Sequence, residues 1–157
     1  MSPMKEAAED WQNYLRHCEG AVQLKHRLLN GSPKYLGGFL KQALDSPQHR
    51  LYALEFAVQL QTEQKKELLP ELLAIASHVG PHIFRARDLI LSLPIEWLLG
   101  NIERVASPIL DSGDEESYRR ILELYAKLDG DLTRKLAERA ASSSNEEVRA
   151  VGIEFLG

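Results

Sequence analysis

One short segment recurs along the chain and indicates the fold. Residues 50–56 read RLYALEF, and the same pattern of charged and apolar residues returns at 85–91 (RARDLIL), 118–124 (YRRILEL) and 149–155 (RAVGIEF). Successive segments begin 35, 33 and 31 residues apart, and each follows another stretch with helical spacing, at 33–44, 65–78, 94–110 and 131–142. A two-helix unit that repeats at about this period is typical of an α-solenoid.

Helical spacing extends over the whole chain. Apolar residues recur every three or four positions, as in Leu132, Leu136 and Ala140, and no segment of four or more residues alternates as a half-buried strand would. The sequence therefore predicts an all-α protein of eight or nine helices joined by short turns.

The repeated units resemble HEAT repeats, a family of armadillo-type helical repeats. In that family an apolar first helix is followed by a polar turn and by a second helix that opens with an arginine and a small residue. Residues 145–152 (NEEVRAVG) match this pattern best and residues 45–53 (DSPQHRLYA) next, whereas Tyr118 replaces the arginine of the third unit and Gly80-Pro81 replaces the acidic turn of the second. The resemblance implies a right-handed α-solenoid of about four HEAT-like helix pairs at residues 32–157, in a single domain with an N-terminal helical cap at residues 1–31.

The N-terminal segment carries an apolar stripe of its own. Trp11, Leu15, Cys18, Val22 and Leu29 recur at helical spacing, opposite a polar face. The first repeat of a solenoid has no neighbour to bury its apolar face, so we expect this helix to cover that end.

Composition bounds the class of protein. Of the 157 residues 44% are hydrophobic, which is too high for a disordered chain, and the length suits one domain. The formal net charge of −4 opposes attraction to phosphate backbones. The single cysteine, Cys18, cannot form an intrachain disulfide, which favours a reducing compartment. With no apolar leader and no run of membrane length in the sequence, we expect a cytoplasmic protein that binds neither membrane nor nucleic acid.

The residues that could suggest chemistry each have a simpler structural explanation. His78 and His82 have the spacing of two ligands on one helix face, but Gly80-Pro81 should end the helix between them, and no carboxylate lies in that stretch. Cys18 lies in the apolar stripe, which indicates packing rather than a nucleophile. Glu115-Glu116 suit the first turn of a helix, where they complement its dipole. We therefore expect no catalytic residue, no cofactor and no metal.

Helical phase selects a candidate row on the second helices. Leu54, Leu89, Leu122 and Ile153 occupy equivalent positions of the template and are expected in the core. The position that follows each of these core residues is expected to face a concave groove, and it holds Glu55, Ile90, Glu123 and Glu154. The position three residues before it shares the same face of the helix and holds Tyr52, Arg87 and Arg120 in the first three units. The same row can equally be a solvated face with no partner.

Two classes of function remain open from the sequence. We favour a non-enzymatic interaction module or scaffold that binds a protein or peptide along a mildly acidic concave face. A narrower form of this hypothesis is an inhibitor or immunity-type protein that blocks one cognate toxin or enzyme. The alternative is a HEAT-like DNA repair enzyme of the alkylpurine glycosylase type, which needs a basic channel. Residues 1–87 hold 11 basic and 9 acidic side chains and residues 88–157 hold 8 and 14, a distribution that opposes this alternative.

Overall fold

The computed structural model describes residues 2–31 and 33–157, and over these residues the secondary structure is entirely helical, with no strand. This confirms the predicted fold class at the level of all-α. The described residues form ten helices: α1 (Pro3–Asn30), α2 (Pro33–Asp45), α3 (Arg50–Ala57), α4 (Thr62–Glu67), α5 (Leu69–Ala76), α6 (Ile83–Leu91), α7 (Ile95–Asp111), α8 (Glu115–Ala126), α9 (Gly130–Ala141) and α10 (Glu146–Leu156).

Side-chain caps fix where the later helices begin. Asp114 accepts a hydrogen bond from the backbone N–H of Ser117, and Asp129 accepts one from that of Leu132, at the first turns of α8 and α9. Asn145 accepts from two backbone N–H groups at the start of α10. Each cap satisfies donors that have no partner inside the helix, so the boundaries follow from the sequence.

The chain divides into two compact units, Met1–Phe39 and Leu40–Gly157, so the division falls inside α2. In the first unit, no residue of α1 is buried. The predicted role of residues 1–31 as a cap stays a prediction. Among the described helices, none combines the length and the hydropathy that crossing a membrane requires.

The second unit is built from contacts between helices that are near each other in the chain. Helix α6 packs on α5, α8 packs on α7, and α10 packs on α9. Further contacts join α3 to α6, α5 to α7, and α8 to both α9 and α10. The predicted core residues Leu54, Leu89 and Leu122 are buried between these helices, as expected.

The fourth predicted core residue is wrong, because Ile153 is 59% exposed. The buried residues of α10 are Val148, Val151 and Gly152. A Cβ atom on Gly152 would overlap the backbone nitrogen of Ala141 and lie 2.6 Å from the carbonyl oxygen of Ala137. The backbone of α10 therefore approaches α9 along the glycine, and this turns Ile153 towards solvent.

Candidate functional site

The structure distributes the predicted row over the second helices, but it does not leave all of it accessible. Tyr52 and Glu55 on α3 are exposed. Arg87 on α6 is only 5% exposed and Ile90 is fully buried. The expectation that these two residues line an open groove is wrong, because α6 turns both of them into the protein.

Arg87 is buried together with the acid that neutralises it. Its Nη2 atom donates to Oε2 of Glu123 at 2.7 Å and to the backbone carbonyl of Arg120 at 3.2 Å. The other carboxylate oxygen of Glu123 accepts from Nη1 of Arg120, also at 2.7 Å. Burial disfavours the charged carboxylate, but the hydrogen bonds from Arg87 and Arg120 outweigh it and hold the pKa of Glu123 below its ordinary value.

The two remaining charged members of the row, Glu154 and Glu55, also pair within the chain. Both carboxylate oxygens of Glu154 on α10 accept from Arg119 on α8, each at 2.9 Å, and these hydrogen bonds lower the pKa of Glu154. Glu55 on α3 lies 3.7 Å from Arg85 on α6. The charges of the row thus join consecutive second helices, α3 to α6, α6 to α8 and α8 to α10. Most charged side chains of the row therefore form ion pairs between helices.

The sequence reasoning missed a cleft between α7 and α9. Its volume is about 600 Å³ and its floor is apolar, formed by Leu99, Leu110, Tyr125, Leu132 and Leu136. Polar and charged side chains stand around it, together with Gly100: Glu103, Arg104, Ser107, Lys135 and Arg139. These residues lie on the two first helices and on α8, whereas the prediction considered the second helices alone.

The rim of this cleft is rich in cations. Nζ of Lys135 lies 2.8 Å from Glu103, and Nη2 of Arg139 lies 2.6 Å from Asp111, so both pairs connect α9 to α7. Arg104 donates to the side-chain amide oxygen of Asn101 at 3.1 Å, a neutral partner. An incoming carboxylate can therefore pair with Arg104 without displacing an acid of the chain.

A buried phenol lies at the floor of the cleft. Tyr125 is 2% exposed and lines the cleft. Burial, assisted by the nearby charge of Glu103, raises the pKa of this phenol well above its ordinary value. The hydroxyl therefore stays protonated and is available to donate to a group that enters the cleft.

The two histidines of the sequence analysis line a smaller cavity of about 260 Å³. Nδ1 of His78 is 2.9 Å from the hydroxyl of Ser77, whereas Nδ1 of His82 is buried without a partner among the described residues. Within the described part of the chain, no group of three His, Cys, Asp or Glu side chains has the arrangement of a metal site. Cys18 is a free, half-buried thiol in α1.

Comparison with known proteins adds no family to this description. A scan of protein-family models found no matching family. Searches of curated proteins and of solved structures found no match either.

Proposed function

We propose that this chain is a non-enzymatic helical-repeat module that binds a protein or peptide partner, with the cleft between α7 and α9 as its principal site. In this proposal the helices of the second unit form a right-handed α-solenoid of HEAT-like pairs. The inhibitor or immunity-type role is a narrower form of the same proposal.

The pairing of helices supports the solenoid. Three second helices pack on the first helix that precedes them, which is the contact expected within a repeat. Ion pairs then join second helices to one another, as between Arg87 and Glu123, and first helices to one another, as between Lys135 and Glu103. Contacts of both kinds, within pairs and between adjacent pairs, are what the proposed two stacked layers would require.

The cleft between α7 and α9 is the observation that carries the proposed binding. An apolar floor of leucines can bury an aliphatic or aromatic side chain, and each such burial contributes about 1.5–3 kcal/mol. Arg104, whose hydrogen-bond partner is the neutral amide of Asn101, favours an acidic neighbour of that side chain. The matching partner is a segment with one large apolar residue followed or preceded by Asp or Glu.

The second-helix row has a smaller part in this proposal. Tyr52 and Glu55 remain exposed and available to a partner, whereas Arg87 and Ile90 are enclosed. A partner that binds along an acidic groove would therefore contact Tyr52 and Glu55 on α3. It would reach Glu123 and Glu154 only where their arginine partners leave the carboxylates accessible.

Selection from a random peptide library tests the proposal. A phage library of peptides about 12 residues long would be panned on the immobilised chain, and the selected peptides measured by fluorescence anisotropy. We expect micromolar binders that combine a large apolar residue with adjacent acids. Gly100→Phe should weaken them at least about tenfold, because a Cβ on Gly100 meets open space and the ring would occupy the cleft.

Charge reversal supplies a matched pair of variants. Lys135→Glu changes the rim of the cleft, whereas Lys127→Glu makes the same change at an exposed position just after α8. We expect the first variant to lose affinity and the second to keep it. Failure to select any peptide, or selected peptides that bind Gly100→Phe as well as the original chain, would overturn the proposal.

A further inference from the structure

Helix α1 carries a seven-residue repeat of mainly apolar residues, none of which is buried. In heptad notation, position a holds Met4, Trp11, Cys18 and Lys25; position d holds Ala7, Tyr14, Ala21 and Leu28; position e holds Ala8, Leu15, Val22 and Leu29. Apolar residues at a and d over four heptads are typical of a helix that pairs with another helix. Lys25 is the single charged residue in these three columns.

The repeat presents large side chains to solvent. Met4 is 82% exposed, Trp11 56%, Tyr14 58% and Val22 67%. The rings of Trp11 and Tyr14 stack on each other with centroids 5.5 Å apart, so the two aromatic groups form one continuous patch. An exposed patch of this kind marks an interaction surface.

The charges of α1 are arranged for an antiparallel partner of the same sequence. Residues 3–16 carry three acids, Glu6, Glu9 and Asp10, against two bases, whereas residues 17–30 carry Lys25 and Arg27 against the single acid Glu19. A second copy laid alongside in the same direction would place the two Lys25 side chains, both at position a, next to each other in the seam. A copy laid in the opposite direction puts the acidic half of each helix beside the basic half of the other.

The first unit also contains a cavity in which the end of a second copy of α1 could bind. Leu24 and Leu28 of α1 and Tyr35, Leu36 and Phe39 of α2 line an apolar notch of about 600 Å³. Tyr35 and Phe39 are more than 60% exposed, so the notch is open. Its position at the C-terminal end of α1 is where an antiparallel copy would place its N-terminal turn.

We propose that two copies of this chain pair through α1 as an antiparallel coiled coil, an inference separate from the proposed function. The register that matches position a of one helix with position d of the other places the exposed Met4 of one copy at Leu28 of the second, beside the notch. It sets Trp11 against Ala21, a large residue against a small one. Lys25 falls beside Ala7, within the acidic half of the second copy.

The surface available is large enough for a stable pair. A fully buried Trp or Tyr side chain removes about 150–250 Å² of surface from water. In each copy Trp11 and Tyr14 are more than half exposed before pairing, so two copies together offer two of each. Together with the exposed Met4, Val22 and Leu28 of both copies, the buried surface reaches the ~1,000 Å² expected of a specific interface.

Sedimentation velocity over a range of protein concentrations tests the pairing. We expect a dimer with a micromolar Kd that weakens severalfold when salt rises from about 0.05 M to about 0.5 M, because the charged halves are screened. Val22→Glu should raise the Kd at least about tenfold, since it puts a charge into the seam. The adjacent Gln23→Glu lies on the opposite, polar face and should leave it unchanged. Circular dichroism checks that both variants stay helical.

Cross-linking tests the direction. In a Cys18→Ser background, the single substitutions Ala7→Cys and Lys25→Cys would be made separately and the two proteins mixed under mild oxidation. Antiparallel pairing predicts a disulfide between the two different variants and little in either variant alone, because only facing positions bring their Cα atoms within reach. Disulfides within each variant alone would show a parallel pair and overturn the proposal. A chain that stays monomeric at about 100 µM, or a Val22→Glu protein that dimerises normally, would also overturn it.

Discussion

Arg87 is the one charged side chain that is buried among the described residues, and Glu123 is what makes that burial tolerable. An arginine removed from water costs free energy unless its donors are matched by a carboxylate or by carbonyl groups. Here one guanidinium nitrogen has both, and a second arginine, Arg120, binds the same carboxylate. The three side chains therefore act as a unit that fixes α6 against α8.

Replacing the carboxylate of Glu123, which Arg87 and Arg120 share, should lower the stability of the folded chain. We expect Glu123→Gln to lower the free energy of unfolding by about 2–3 kcal/mol, because hydrogen bonds to charged groups are lost and Arg87 stays buried. Urea denaturation of both proteins measures the difference. Glu154→Gln, which breaks the exposed pair with Arg119, should cost clearly less. An equal loss in the two variants would contradict the special role of the buried pair.

The same carboxylate predicts a pH dependence. The folded chain holds the pKa of Glu123 below the ordinary 4.5 of the free side chain, so the folded state favours the deprotonated form. This contribution is complete above the ordinary pKa and is lost as the pH falls through the lowered value. The difference in stability between the original chain and Glu123→Gln should therefore shrink below about pH 4.

Sequence periodicity locates whole helices better than single faces. Predicted first helices at 33–44, 94–110 and 131–142 agree with α2, α7 and α9 within two residues, because apolar spacing and caps are local signals. The predicted groove position of Ile90 and the predicted core position of Ile153 were both wrong, because one template register was applied to all four units. Val148, Val151 and Phe155 share a face of α10 that excludes Ile153, and this spacing was readable from the sequence. The cleft between α7 and α9 could not be predicted from the sequence, because it depends on the distance between two helices in the folded chain.

Substitutions on the second helices test which face of each helix is buried. Leu122 is fully buried on α8, so Leu122→Ala should cost about 2–5 kcal/mol in free energy of unfolding. Ile153→Ala removes a side chain of similar size from an exposed position of α10 and should change stability by less than about 0.5 kcal/mol. Thermal denaturation compares the two, and similar losses would mean that α10 is rotated from the position described.

The approach of α10 to α9 depends on one glycine. Gly152→Ala should destabilise the chain by about 3 kcal/mol or more, because the added methyl group meets the backbone of α9, which cannot rotate away. Gly100→Ala is the matched control in the interior of α7, where the new methyl group meets nothing. It should stabilise the chain by about 0.5–1 kcal/mol through helix propensity. Chemical denaturation of both variants checks the opposite signs.

At the scale of the whole molecule, the distribution of charge separates the two classes of function. The chain carries 19 basic and 23 acidic side chains. Several basic residues after position 100 are already paired with a carboxylate of their own: Arg119 with Glu154, Lys135 with Glu103 and Arg139 with Asp111. A phosphate would have to displace these acids, so each contact would gain little free energy.

We therefore expect no binding to nucleic acid at physiological salt. Affinity for a duplex comes mainly from cations released when free lysines and arginines contact phosphates, and a surface whose cations are paired releases few. Fluorescence anisotropy of a labelled duplex and of a labelled single strand, each about 20 nucleotides long, should stay constant up to about 50 µM protein at ~0.15 M salt. Lys135→Glu, which weakens the proposed peptide site, should leave these measurements unchanged. Binding at low micromolar protein that weakens steeply with salt would instead favour the DNA-repair alternative.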